Sequence, residues 1–431
     1  MDKFEGETLL MLGTNVSSVD IIKYAKRHGA KTIVADYLPK EKSEAKQYAD
    51  LSYLISTADT DGLQKIIDGN NVTAVLAGIS EFNLAQAMRL AKKNGFRFYC
   101  TQQQWESIEN KKHFRELCHQ YGVPCPRTFY CGSAPKETDI CELPVIVKPV
   151  DGSASNGVSI CRTRESLIPA LGCAKNESRC GEVIVEEFFE GDEFTAHYAI
   201  IDGIAHFISM DERHPALLHG GNTASIPIGR TYPSTYLAKY RQQVDAQVAE
   251  MCHNIGLQVG VLFVQGLYNT ANGRFCIFEA GLRSAGETPF RFLEHIYGWN
   301  YLHDIVDYCM TGATDIRNLD GNMVQMGGKR CCIASFASPG GTITKIEGLK
   351  ETLEKCPEVI YHEARYHEGD TLPEGDTLRQ IVLRFFIVAD NDTTLAHTIR
   401  QINEGIAVLD SDGRDICVRF DPTNLSKHRH I

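Results

Sequence analysis

The sequence predicts an α/β chain in three parts: an N-terminal domain on a parallel doubly wound sheet, a central α+β domain with a lid, and a small C-terminal α+β domain. Three observations carry this expectation. From Leu9 to Cys100, short apolar runs alternate with amphipathic stretches, as βαβ units do. Two long apolar runs, VGVLFVQGLYN and RFCIFEAG, flank TANG and read as a β-hairpin with Asn272-Gly273 as its turn signal. At 431 residues the chain is too long for one core. The expected boundaries are 1–103, 104–328 with a lid over about 127–192, and 329–425.

Each element follows from local pattern. LLMLG is a strand, TNVSS a turn, and VDIIKYAKRHG an amphipathic helix closed by Gly29. KTIVADY is the next strand, with Asp36 near its end. SYLIS, a helix over 61–68, VTAVLAG, a helix over 83–94 and a strand FRFYC continue the alternation. Only Gly13 stands after the first strand, so the G-x-G-x-x-G dinucleotide fingerprint is missing and a dehydrogenase is disfavoured. Ser17 or Ser18 reads as the cap of the first helix, although that helix start can also take an anion. Residues 105–122 read as a helix, broken by Gly122, Pro124 and Pro126. Strands and turns fill 126–194, with one helix near 164–174, and a long helix covers 236–255. After Met326 a new α+β segment runs from CCIASF to ICVRF.

Composition excludes several classes. Apolar residues are 43% and charged residues 23%, ordinary for a folded chain, and no run is long and apolar enough to span a bilayer. The start MDKFEGETLLMLG lacks a basic region before a long apolar one, so no signal peptide and a cytoplasmic location are expected. Net charge is −11 with Lys and Arg scattered, which disfavours a nucleic-acid partner. The 15 Cys form no CxxC pair and read as reduced, mostly buried thiols, with Cys331 and Cys332 facing opposite ways.

Four patches carry chemistry. In PVIVKPVDGSASNGVSI, Lys148 ends a strand before a loop with Gly152, Ser153, Ser155 and Gly157. Small residues there let backbone amides approach phosphate oxygens, and the same composition also suits a plain turn. In EVIVEEFFEGDEF, Glu186 and Glu187 leave a strand beside Phe188 and Phe189. They suit a base and ribose, or solvated acids beside core aromatics. The hairpin sets Gln265 and Glu279 on neighbouring strands, two oxygen-bearing side chains of the kind Mg²⁺ takes together with phosphate. Arg283 follows on GLRSAG, where it can clamp a phosphoryl or carboxylate group. In ENKKHF, Lys111 and Lys112 open a helix against its dipole.

In their order these patches resemble the ATP-grasp superfamily, most closely its carboxylate–amine ligase branch, with an architecture similar to L-amino acid ligase, biotin carboxylase and phosphoribosylglycinamide synthetase. The resemblance covers essentially the whole chain and makes the first domain a pre-ATP-grasp domain. It implies ATP and Mg²⁺ or Mn²⁺ as cofactors. Lys111 and Lys148 become phosphate-binding lysines, and the loop from Asp151 to Gly157 becomes a flap. Glu186 takes the adenine amino group, Phe189 offers its backbone N–H and Glu193 holds the ribose. Gln265 and Glu279 become the metal pair and Arg283 the catalytic arginine of E-x-N-x-R. Two departures stand out: Gln265 replaces an acid, and Gly281 replaces the Asn.

The implied activity joins a small carboxylate, activated as an acylphosphate, to an amine, with amino acids or peptides favoured. A purine-pathway ligase or a carboxylase of the same fold is the alternative. A nucleotide-binding regulator without catalysis is the reading that Gln265 and Gly281 favour. The stretch DERHPALLHGGNTASIPIGRTYPS reads as a long functional loop bordering the acceptor site. Arg213, His214, His219 and Arg230 are its candidates for a substrate anion, with His214 also a candidate base. Glu81, at a strand's C-terminal end, is expected either to meet a substrate ammonium or to serve a helix start. The third domain is expected to pack over the site or to build a homodimer.

Overall fold

The computed structural model describes residues 2–133, 140, 142–152, 156–218, 226–315, 319, 321–375 and 377–426. The N-terminal sheet is parallel, in the order β3-β2-β1-β4, from β1 (Thr8–Leu12), β2 (Lys31–Asp36), β3 (Leu51–Leu54) and β4 (Ala74–Ala77). Every residue of β1, inside the sheet, and of β4, at its edge, is buried, as expected of parallel strands covered on both faces. The covering helices are α1 (Val16–Arg27), α2 (Glu44–Tyr48), α3 (Thr60–Asn70) and α4 (Glu81–Asn94).

Two expectations fail here. The cap of α1 is Asn15, whose Oδ1 accepts the amides of Ser17 and Ser18, while both serines are themselves buried inside the first turn. An Asx cap two residues earlier satisfies the same amides. FRFYC forms no strand. Phe96 N closes back on Ala91 O, and Tyr99 is buried with its hydroxyl donating to Leu282 O at 3.2 Å. The segment docks as side chains and does not pair.

The expected single helix over 105–122 is two, α5 (Gln102–Glu109) and α6 (Lys111–Tyr121). Asn110 leaves helical geometry at ψ 118° and caps α6 with its own side chain. The lid sheet is antiparallel, in the order β5-β8-β6-β7, from β5 (Thr128–Gly132), β6 (Val145–Pro149), β7 (Ser159–Cys161) and β8 (Val183–Glu187), with α7 (Leu167–Glu177) against it.

A nine-stranded sheet forms the floor, in the order β13-β12-β9-β10-β11-β14-β19-β17, with β21 beside β14. Its central strands are β9 (Asp192–Ile201), β10 (Ile204–Ala216), β11 (Ile226–Tyr232), β12 (Gly260–Asn269) and β13 (Arg274–Gly281). The helical stretch after β11 runs through α8 (Leu237–Tyr240), a π turn over Arg241–Asp245 and α9 (Ala246–Ile255). The helices α10 (Phe290–Tyr297) and α11 (Tyr301–Thr311) follow β13. The C-terminal segment contributes β14 (Arg330–Ala337), β15 (Gly341–Thr342), β16 (Lys345–Glu347), α12 (Leu349–Lys355), β17 (Val359–Ala364), β18 (Thr371–Leu372), β19 (Ile381–Ala389), α13 (Asp392–Gly405), β20 (Ala407–Leu409) and β21 (Val418–Arg419). Because β14 pairs with β11, this segment extends the central sheet across the expected boundary at 328. Among the described residues no helix is long and apolar enough to cross a membrane, and the 14 described cysteines are free.

Candidate active site

The lid supplies the first wall. Register sets Ile146 of β6 opposite Glu186 of β8, so Lys148, two residues on, shares that face with Glu186. Lys148 Nζ lies 2.6 Å from Glu186 Oε2, and Arg115 of α6 donates through Nε and Nη2 to the same carboxylate. Arg115 Nη2 also donates to Phe278 O at 2.7 Å, which ties lid to floor. The three side chains are 5%, 0% and 4% exposed. Burial would raise the Glu186 carboxyl, but Lys148 and Arg115 outweigh it and hold it below the usual range. Burial lowers the Lys148 ammonium, against the pull of Glu186.

The Glu186 carboxylate thus meets Arg115 and Lys148 along a cross-strand diagonal, a pairing that linear order does not display and that stands beside the adenine role expected of this residue. Glu187 Oε1 accepts Arg127 N at 3.0 Å. Phe188 and Phe189 are half-buried, with Arg162 and Arg274 at 5.1 and 5.8 Å from their ring centres.

Lys111 opens α6 and binds the flap stem twice, by its amide to Val150 O at 2.9 Å and by Nζ to Gly152 O at 2.6 Å. Asp151 accepts Ser178 Oγ and the amides of Arg179 and Cys180, which anchors the stem from the other side. Gly157 has φ +70°, and a Cβ there would stand 2.9 Å from Glu177 Cβ. Ser153, Ser155 and His219 lie outside the described residues.

The floor supplies the second wall. Gln265 pairs with Glu279 on one side and with Thr195 on the other, so the two oxygen-bearing side chains stand beside each other, both half-buried. One amide oxygen and one carboxylate fit a hard cation whose remaining ligands are phosphate oxygens and water. At Gly281 a Cβ would come within 2.4 Å of the Phe263 ring, its partner across β12–β13. The ring fills the place a larger residue would need, and Arg283 lies 5.0 Å from the ring centre.

The loop 282–288 gathers charge from distant segments. Arg283 Nη2 holds Glu81 Oε1 at 2.8 Å. Glu81 is the first residue of α4, whose cap is Ser80. Glu109, at the end of α5, accepts Leu282 N at 3.2 Å. Burial and Glu81 push its carboxyl up to about 8, against Arg283. Arg230 Nη1 reaches Asp211 Oδ2 at 2.6 Å, Thr195 Oγ1 at 3.2 Å and Glu287 Oε1 at 3.3 Å. Burial opposes ionisation of Glu287, yet Arg230 and then His197 hold it at about 2. His197, lowered by burial, lies 3.5 Å through Nε2 from Glu287 Oε1. His197, Asp211 and Glu287 bring ligand-type atoms within 4.8 Å of one another. The Arg230 guanidinium sits among their oxygens, so that trio is closed by an arginine.

The expected loop over 211–234 is mostly two strands. Glu212 pairs with Thr231, Arg213 with Arg230 and His214 with Gly229, leaving only the tip between β10 and β11. Its Arg, His and Pro obscure the period-2 pattern of a half-buried strand. Arg213 Nη1 binds Glu193 Oε2 at 2.8 Å, so both face the cleft beside Arg230. His214 faces the other way, its Nε2 at 2.9 Å from Thr231 Oγ1 and its ring 4.7 Å from that of Phe420. It does not join the cluster. Sequence reading missed Arg115, Glu109, His197, Asp211, Glu287 and Arg384. Two of these carried a signal: Asp211 opens the stretch DERHPALLHGGNTASIPIGRTYPS already singled out, and Glu287 directly follows GLRSAG.

Residues 141–288 match the family model described as the ATP-grasp domain. A protein of Methanocaldococcus jannaschii called formate-dependent phosphoribosylglycinamide formyltransferase is 29% identical over 189 residues, 42% of this chain and 48% of that relative. One of the same name from Francisella tularensis is 26% identical over 278 residues, 60% of this chain and 67% of the relative. The chain thus spans about half the length of the first relative and two thirds of the second. The L-amino acid ligase of Bacillus licheniformis superposes with a TM-score of 0.74 at 15% identity, covering 94% of this chain and 99% of that one, a likeness of fold.

Proposed function

From its ATP-grasp domain over residues 141–288, we propose that the chain is an ATP-dependent carboxylate–amine ligase working through an acylphosphate. A carboxylate oxygen of the acid attacks the γ-phosphorus and ADP leaves. The amine nitrogen then attacks the acyl carbon, phosphate leaves with the C–O electron pair, and the amine gives up a proton, forming an amide. Lys111 and Lys148 bind phosphate oxygens, and the flap between Asp151 and Gly157 shields the acylphosphate from water. Glu187, Phe188, Phe189 and Glu193 line the base and ribose end. Arg283 faces the transferring group, oriented by Glu81. Gln265 and Glu279 would hold Mg²⁺ or Mn²⁺, which supplies positive charge at the phosphates.

One observation carries this reading: Lys111 binds the flap stem at Gly152 O, Lys148 ends the strand that leads into that stem, and Arg283 is oriented by Glu81 in the loop after the floor hairpin. The favoured substrates are amino acids or similar small acids and amines. The relatives named for formyl transfer make formate the alternative acid. Phosphate release should be followed with ATP and Mg²⁺ across single and paired amino acids and formate. The reading requires release that needs both an acid and an amine and is lost in Lys148→Ala and Arg283→Ala. A second reading, nucleotide binding without transfer, is favoured by Gly281 and the Phe263 ring packed against it. Tight ATP binding with no release for any pair would select it.

A further inference from the structure

The floor sheet has a second face, to which the ligase reading gives no task. Thr195 and His197 of β9 meet Arg230 and Glu287 in the cleft, so Tyr198, one residue on, points the other way. Phe207 of β10 stands directly opposite Tyr198 in register. There a cavity of about 310 Å³ opens between the start of β10 and the helical stretch after β11. Small-molecule sites run from roughly 300 to 1,000 Å³, so this volume suits a small ligand. Phe207, Ile208, Ala249, Leu319 and Met323 give the cavity apolar walls.

Its charged groups come from one turn. Arg241 and Asp245, the two ends of the π turn, both line the cavity. Single π turns within helices are uncommon and occur frequently at functional sites. At a spacing of four residues, an arginine and an aspartate on a helix surface can join as an ion pair. Here each is turned to a different partner, and no ion pair joins them. Arg241 Nη2 donates to Gly321 O, while Asp245 is hydrogen-bonded to the Tyr198 hydroxyl, itself 3.0 Å from that of Tyr240. Burial raises the Asp245 carboxyl, against Tyr198 and Arg241, the direction of a carboxylate short of positive charge. His206, also in the lining, is lowered by burial and so is neutral at neutral pH. Among the described residues the lining therefore carries one charge of each sign, held apart beside an apolar wall.

We propose that this cavity is a second ligand site, separate from the cleft, for an α-amino acid with an apolar side chain. The ammonium meets the Asp245 carboxylate, the carboxylate meets the remaining N–H groups of Arg241, and the side chain lies against Phe207, Ala249 and Met323. A zwitterion answers both charges at once. A simple amine or a simple acid would answer one and leave the other half-buried without a counter-charge. The site does not depend on the ligase reading, because none of its residues belongs to the nucleotide, metal or transfer groups.

The test is calorimetry on the intact chain with L-leucine, L-methionine and L-phenylalanine. Each is compared with its own amide, with its own deaminated acid and with glycine, which lack in turn the carboxylate, the ammonium and the apolar side chain. At least one of the three should bind, and more tightly than all of its comparators. Asp245→Asn and Arg241→Gln should each weaken that binding by roughly 10- to 100-fold, the span of a lost charged hydrogen bond. Ala249→Leu, which fills the cavity and leaves both charges in place, should abolish it and covers a charge variant that does not fold. Lys148→Ala and Arg283→Ala should bind as wild type does. Binding lost in Arg283→Ala but kept in Asp245→Asn and Ala249→Leu would place the amino acid in the cleft, which overturns the inference and leaves the ligase reading standing. A wild type that binds none of the three, or binds the amide as tightly as the amino acid, also overturns it. Binding that follows Asp245 and Arg241 in a chain that releases no phosphate with any acid and amine keeps this site and defeats the ligase reading.

Discussion

Replacing Glu186 by glutamine separates two roles that the sequence alone cannot distinguish. In the structure the Glu186 carboxylate is fully buried between Arg115 and Lys148, with 2.6 Å to the lysine nitrogen. The substitution keeps shape and volume but leaves two buried cations facing a neutral amide. Removing one partner of a buried ion pair costs about 3–5 kcal/mol, most of it the charge left behind. For a cooperative unit of 150 to 250 residues, the size expected of the central segment that holds Glu186, each kcal/mol lowers Tm by roughly 2–4 °C. The expected fall is then about 6–20 °C, read by calorimetry or circular dichroism. Lys148→Met alone should also destabilise, and the double variant should lose less than the sum, because the second change removes one of the stranded charges. ATP affinity of Glu186→Gln, measured well below its Tm, should fall only to the extent that Lys148 is displaced. A variant within about 1 kcal/mol of wild type in stability, or single losses that simply add, would refute the network. A large loss of ATP affinity at unchanged stability would assign Glu186 to the base.

Three further outcomes follow from the floor. Gly281→Ala puts a Cβ 2.4 Å from the Phe263 ring and should cost about 1–3 kcal/mol in urea unfolding, recovered in part by Phe263→Leu. An alanine variant as stable as wild type would show that the ring does not fill that space. Gln265→Glu adds a carboxylate beside Glu279 and should tighten Mn²⁺ binding to the nucleotide complex, read by electron paramagnetic resonance of free Mn²⁺; an unchanged free fraction would take Gln265 out of the metal site. Glu287 is held at about 2 against an ordinary 4.5, so it contributes stability that is fully present above about pH 4.5 and lost as pH falls towards 2. That depression corresponds to about 3 kcal/mol. Glu287→Gln should flatten the acid limb of stability in that window, and an acid limb identical to wild type would mean that Arg230 does not hold the carboxylate.

Sequence order displayed what local chemistry dictates. The apolar runs of β1 and β4, the hairpin around Asn272-Gly273 and the lysine at the end of β6 were legible because each is a contiguous pattern. Pairing across strands was not. Arg115 lies 71 residues from Glu186, and Arg283 lies 202 from Glu81, so no local period joins them. Cap geometry was missed by two residues at Asn15 because Ser17 and Ser18 are equally good cap types. The strands β10 and β11 hid behind polar residues because their cleft face carries Asp211, Arg213 and Arg230, which bury charge against charge rather than apolar surface. A half-buried strand usually announces itself by alternating apolar residues, and a charged face removes that signal.

The same contacts explain how three regions come to share one site. The loop 282–288 is short, yet its residues bind Glu81 from the N-terminal domain, Glu109 from α5, Arg230 from the central sheet and Arg384 from the C-terminal segment. Tyr99, which the strand pattern misassigned, adds a further contact at Leu282 O. Each partner is buried or paired, so moving one displaces a charge that another must compensate. The loop therefore cannot be set by its own sequence. A substitution at Glu81, some 200 residues away in the chain, acts on Arg283 as directly as a change in the loop itself. The C-terminal segment is tied to the same loop both through strand pairing from β11 to β14 and through Arg384, so its removal would be felt at the site and not only at the edge of the sheet.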